Sequence, residues 1–167
     1  AGNAICRSDG HGISVSATRG TRIVGNDIGY GPGNRAARND GDGIHLMSGA
    51  SATITRNRSG ANLGAGLYVA NAQASVSDND FGGLSRDDRR FGNREGIRAK
   101  YSSLQFPGRP NRVFANQNAG FVELNGVVGW DAMTISGNGI GIDLGDDGPS
   151  LNDPGDADVA PHQMQNG

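Results

Sequence analysis

The stretches TRIVGNDI (residues 21–28), ATITRNRS (52–59), ASVSDNDF (74–81), NRVFANQN (111–118) and MTISGNGI (133–140) share one pattern. In each, a branched apolar residue (Ile23, Ile54, Val76, Val113, Ile135) is followed three positions later by asparagine: Asn26, Asn57, Asn79, Asn116 and Asn138. GNAI at the start repeats the GNDI ending, which adds Asn3, and the asparagines then lie 23, 31, 22, 37 and 22 residues apart. A second series runs out of phase with this one. HGISVS, DGIHLM, AGLYVA, EGIRAK, GFVEL and GIDL each place glycine before a short alternating segment. Two or three short strands per unit of 22–23 residues, parted by Gly, Asn and Asp, describe a solenoid coil. Such a coil cannot bury its apolar face alone, so it stacks on its neighbours. Asparagine suits the corner, because it tolerates the left-handed conformation and its amide can bond the same amide one coil away.

Composition agrees with this reading. The 167 residues include 29 Gly, 16 Asn and 15 Asp against 2 Glu and 1 Lys, which is a poor composition for helices. No apolar run reaches the length of a membrane span. Cys6 is the only cysteine, so neither an intramolecular disulfide nor a cysteine metal cluster is available. The expected fold is all-β: a parallel β-helix of about six coils, one domain over residues 1–167 with an acidic C-terminal loop at 143–167. Because the chain opens inside a coil and shows no cap, it reads as a piece of a longer protein whose adjacent coils would continue the stack.

On these repeats the chain resembles the right-handed parallel β-helix proteins of the pectin-lyase-like superfamily. The closing GNGIGIDLGDDGPSLNDPGDADVAPHQMQN is similar to segments of bacterial secreted and cell-surface β-helix proteins. The resemblance implies right-handed coiling and an extracellular or cell-surface location. It implies no defined reaction, since one scaffold carries lyases, hydrolases, epimerases and adhesins.

Stacking the glycine-led strands points Ile13/Val15, Ile44/Leu46, Leu67/Val69 and Ile97/Ala99 inward. Val122/Leu124 is preferred over Phe121/Glu123 for the next coil, to spare a buried carboxylate, and Ile142/Leu144 closes the series. The solvent-facing ladder is then Ser14, His45, Tyr68, Arg98, Glu123 and Asp143. His11, Asp42 and Glu95 flank it on one side, and Ser16, Met47 and Lys100 on the other. A polysaccharide groove follows from this arrangement. Tyr68 would stack on a sugar, Arg98 and Lys100 would neutralise a uronate, and His11, Asp42, His45, Glu95 and Glu123 would contact the polymer. The preferred function is non-catalytic glycan contact. The alternatives are a polysaccharide lyase, epimerase or hydrolase using His45, Tyr68 and Arg98, and a structural stalk. SDGHGIS and GIRAK resemble fragments of the polygalacturonase motifs, but Asp9-Gly10 and His11-Gly12 read more simply as a turn entering a strand.

Loops Gly29–Asp42 and Gly82–Glu95, with an excursion at Tyr101–Asn111, should border the ladder and supply recognition. Charge is divided along the chain. Before residue 113 there are 15 basic and 9 acidic residues, and from there on 8 acidic and no Lys or Arg. A basic half suits an anionic polysaccharide, whereas nucleic acid would ask for a denser stripe with interleaved aromatics. At the acidic end Asp143, Asp146, Asp147, Asn152, Asp153, Asp156 and Asp158 form a candidate Ca2+ site of hard oxygens, the one cofactor indicated. Metal binding by His11, His45 and His162 is not expected, because no pair has helical or finger spacing.

Overall fold

A computed structural model describes residues 2–85, 89–130 and 133–148. Three parallel sheets run along one axis. The first stacks the short strands Ala4–Ile5, Asp27–Ile28, Arg58–Ser59, Asp80–Gly82, Asn111–Phe114 and Met133–Ser136. The second stacks Ile13–Ser16, Ile44–Met47, Ala65–Ala70, Glu95–Lys100, Ala119–Leu124 and Ile140–Leu144. The third stacks Thr21–Val24, Ser51–Thr55, Gln73–Ser77, Ser103–Gln105 and Val127–Gly129. The chain visits the sheets in rotation, so the fold is the parallel β-helix that the repeat predicts. Among the described residues no helix is long and apolar enough to cross a membrane.

The core is a set of apolar columns, one residue per coil. Ile23, Ile54 and Val76 stack in the third sheet, and Ile13, Ile44, Leu67, Ile97 and Phe121 in the second. Most of these side chains are wholly buried, as are Phe81 and Phe106. Each burial removes apolar surface worth about 1.5–3 kcal/mol.

The asparagines form two ladders, where the sequence suggests one. Asn3, Asn26, Asn57, Asn79 and Asn111 bond in turn at the corner between the third and first sheets. Asn39, Asn62, Asn93, Asn116 and Asn138 do the same between the first and second. The apolar-x-x-Asn pattern therefore occurs at both corners. Val113 pairs with Phe81 and Ile135 in the first sheet, not with Val76, and the spacing of 37 arises from crossing from one ladder to the other. The left-handed residue is also not the asparagine. It precedes it, as at Gly25, Arg56, Asp78 and Ala115.

The second ladder explains the glycines. Gly12, Gly43, Gly66, Gly96 and Gly120 each lie beside a ladder amide. A Cβ on Gly66 would sit 2.8 Å from Asn93 Nδ2 and 2.8 Å from the Gly96 carbonyl oxygen. That requirement also decides the register at Ala119–Leu124. With Gly120 in the glycine column, Phe121 falls beneath Ile97, Val122 beside Arg98 and Glu123 beside Ala99. Glu123 is therefore buried and accepts the Gly126 N–H, and Leu124 faces out. The expected register is wrong here. Gly120 has no room for a side chain, Phe121 needs the interior, and the carboxylate finds a backbone donor at the corner. Ile142 and Leu144 keep register with Phe121 and Glu123, but Ile142 is exposed in this last described strand and Asp143 is the buried residue there.

Longer coils grow in the run between the two ladders. It is short from Asn57 to Asn62 and long from Asn26 to Asn39 and from Asn79 to Asn93. The former holds a small hairpin, Tyr30–Gly31 with Arg35–Ala36, and the latter a 3-10 turn at Arg89–Phe91. Tyr101–Asn111 is less of an excursion than expected, because it contains the third-sheet strand Ser103–Gln105 and the buried Phe106.

Candidate functional site

Two neighbouring coils carry similar entries into the second sheet: DGHGIS (residues 9–14) and DGDGIH (40–45). Stacked, they place His11 beside Asp42, with Gly12 bonded to the Asp42 carbonyl and Ile13 paired with Ile44. His45 occupies the first outward position of its strand, level with Ser14 and Tyr68. Gly41 makes room for the His11 ring, since a Cβ there would lie 2.7 Å from Nδ1.

Asp42 organises the group. It is 8% exposed, and its Oδ1 accepts the Ala65 N–H at 2.7 Å. Its Oδ2 lies 2.7 Å from His45 Nδ1 and 3.2 Å from His11 Nδ1. The Asp42 backbone N–H donates to His11 Nδ1 at 3.0 Å, so that nitrogen presents its lone pair while His45 Nδ1–H faces the carboxylate. The imidazole centroids are 4.2 Å apart, and Tyr68 meets His45 edge-on at 4.9 Å. His11, Asp42 and His45 offer ligand atoms that all lie within 4.8 Å of one another.

Two imidazoles and one carboxylate are a donor set for a first-row transition metal such as copper or zinc. With His11 Nδ1 accepting the Asp42 N–H and His45 Nδ1–H facing the Asp42 carboxylate, the imidazoles would take such an ion through their Nε2 atoms, at bonds of about 2.0 Å. Calcium, which takes six to eight oxygens, does not suit this set. The residues therefore fit a bound transition metal, with Asp42 able either to ligate it or to orient His45 toward it. Spacing along the sequence does not keep His11, Asp42 and His45 apart in a stacked fold. Residues 31 and 34 apart become neighbours when a coil separates them. The recurring Asp-Gly-x-Gly-Ile was the signal that could have paired them.

The other predicted residues are placed as follows. Tyr68 and Arg98 lie on the outward column, with the Arg98 guanidinium 5.9 Å from the Tyr68 ring centroid. Arg98 bonds both oxygens of the buried Glu95 at 3.0 Å and also bonds Asp146. These carboxylates hold its pKa above the ordinary guanidinium value, against the desolvation that lowers it. Lys100 stands beside Ala70 and Leu124, with its ammonium over Tyr101. Glu123 leaves the ladder, as described, and Val122 takes its place. Asp143 follows Val122 on the outward column, while Asp146 turns back to Arg98 and Asp147 is exposed. Asn152, Asp153, Asp156, Asp158 and His162 lie outside the described residues, so the proposed calcium cluster is represented only by its first three members.

Comparison with protein families finds that residues 1–86 match the family described as NosD, periplasmic copper-binding protein. No curated protein and no solved structure matches the chain. The matched half contains His11, Asp42, His45 and Tyr68.

Proposed function

The chain belongs to the NosD family, and on that premise we propose that it binds copper through His11, Asp42 and His45 on the second sheet of a periplasmic β-helix. The convergence of three ligand atoms within 4.8 Å carries the proposal, and the family's description supports both the metal and the compartment. Copper would supply a Lewis-acidic, redox-active centre. The chain's own part is to hold two imidazoles and a carboxylate at the sheet surface, with Asp42 fixed by Ala65 and His11 fixed by the Asp42 N–H. His45 is only 12% exposed and His11 33%, so the site opens to solvent on the His11 side. We place the scaffold among the right-handed pectin-lyase-like β-helices, the resemblance that its short repeats carry. Polysaccharide contact ranks behind metal binding, because the Tyr68 ring is taken up by His45 and Arg98, and Arg98 by Glu95 and Asp146.

Titration of the chain with Cu(II), followed by electron paramagnetic resonance, tests the assignment. Nitrogen hyperfine coupling from two imidazoles is expected, with at least a tenfold loss of affinity in His11→Ala and in His45→Ala. Unchanged affinity in the double variant would overturn the site. Fractionation of cells producing the natural protein tests the compartment, and recovery in the cytoplasm would refute it.

A further inference from the structure

The surroundings of His45 repeat two coils further along the same sheet. Tyr68 pairs with His45 on one side and Arg98 on the other, and Ala65 pairs with Glu95 in the row that also holds Asp42. Asp42 and Glu95 are each 8% exposed. Each bonds the side chain three residues on, Asp42 with His45 at 2.7 Å and Glu95 with Arg98 at 3.0 Å. Two carboxylate-anchored groups thus stand either side of Tyr68. Its ring meets the His45 imidazole edge-on, at 77° and 4.9 Å between centroids, and the Arg98 guanidinium from the opposite coil lies 5.9 Å from its centroid. Edge-to-face geometry is favoured between aromatic rings, and a guanidinium is attracted to a ring face.

Asp42 alone does not fix the imidazole. Its hydrogen bond holds Nδ1, but the χ2 torsion of histidine is broad, so the ring can still swing about that contact. The neighbouring rings close the remaining freedom. His11 stands 4.2 Å away at 42°, and Tyr68 supplies a wall from the next coil. The His45 side chain is 12% exposed although its place on the strand points outward, as expected of a ring flanked in this way.

We propose, on the reading that this site binds copper, that Tyr68 is a positioning residue for the metal. Its ring, braced by Arg98 and Glu95, keeps His45 Nδ1–H on Asp42 and so leaves Nε2 for the ion. The hydrogen bond made by one imidazole nitrogen decides which nitrogen is free to ligate.

The parent chain is compared with Tyr68→Phe, which keeps the wall, and Tyr68→Leu, which removes it and stays apolar. Without metal, long-range 1H–15N NMR of the imidazoles reads the His45 tautomer. The Nδ1–H form is expected to dominate in the parent and in Tyr68→Phe, and both tautomers to be populated in Tyr68→Leu. With Cu(II), Tyr68→Leu is expected to lose about tenfold in affinity and Tyr68→Phe no more than about twofold, outer-shell partners of a metal being worth about 10–100-fold. The electron paramagnetic resonance spectrum should fall from two coupled imidazoles to one in Tyr68→Leu alone. A parent-like tautomer or undiminished copper affinity in Tyr68→Leu overturns the proposal. So does an equal loss of affinity in Tyr68→Phe, which would make the hydroxyl a ligand. A parent chain that binds no copper refutes the copper reading instead, and the metal-free spectra still decide whether Tyr68 positions His45.

Discussion

Asn57 shows what one ladder residue does. Its Nδ2 donates to the Ile23 and Thr55 carbonyls and to Asn79 Oδ1, and its Oδ1 accepts from both the backbone and the side chain of Asn26. Asn57→Ala leaves several buried groups unpaired, and we expect a loss of about 3 kcal/mol in urea denaturation. Tyr30 is a second such residue. It is 3% exposed, donates its hydroxyl to the Gly82 carbonyl, and burial raises its pKa above the ordinary 10.0. The unfolded chain therefore releases this proton first. The stability that Tyr30 contributes is complete below pH 10 and declines as pH rises beyond it. In Tyr30→Phe this part of the alkaline decline should vanish, at a cost near neutrality of about 1 kcal/mol for the lost hydrogen bond. Melting curves between pH 7 and 11 check both. At this scale asparagine's part was legible as amide stacking, but its backbone was not. The chain uses the residue before it, even Arg56 or Ala115, for the left-handed turn, because the asparagine amide must be aimed along the axis.

Strands and corners explain which parts of the fold could be read in advance. Glycine-led alternation located the second sheet, since a strand with one buried face repeats every second residue. The first sheet escaped, because strands as short as Asp27–Ile28 and Arg58–Ser59 are too brief for alternation to register. At Ala119–Leu124 two local rules conflicted, and the glycine column overrode the cost of burying Glu123. Gly66→Ala should accordingly cost about 1–3 kcal/mol by overpacking against Asn93 and the Gly96 carbonyl. Gly10→Ala, where a Cβ meets nothing within 4 Å, should change the urea midpoint little. Equal losses in the two would show that the ladder does not exclude side chains. The residues of the candidate metal site are visible one by one in the sequence, where they read as parts of a glycan groove and a turn. What joins His11 to Asp42 is coil stacking rather than a motif within one segment.

In the whole molecule each coil contacts its neighbours, so local events spread along one axis. His11 belongs to one coil, and Asp42 and His45 to the next. Copper held by all three would tie the edge strand Ile13–Ser16 to Ile44–Met47. If copper binds only the folded chain, it should add about 2.7 kcal/mol at one hundred times its dissociation constant. Amide exchange at residues 13–16 should slow more than exchange at 97–100. Uniform slowing would argue against a staple at this edge. Stacking also separates two kinds of distance. Coils of unequal length advance the axis by the same strand spacing, about 4.8 Å, so insertions between the ladders change the residue count between two sites but not their reach. The fold is in this sense a graduated rule. The proposed metal position at His11, Asp42 and His45 is a fixed mark on one face, and the loops between the asparagines can lengthen or shrink without moving it.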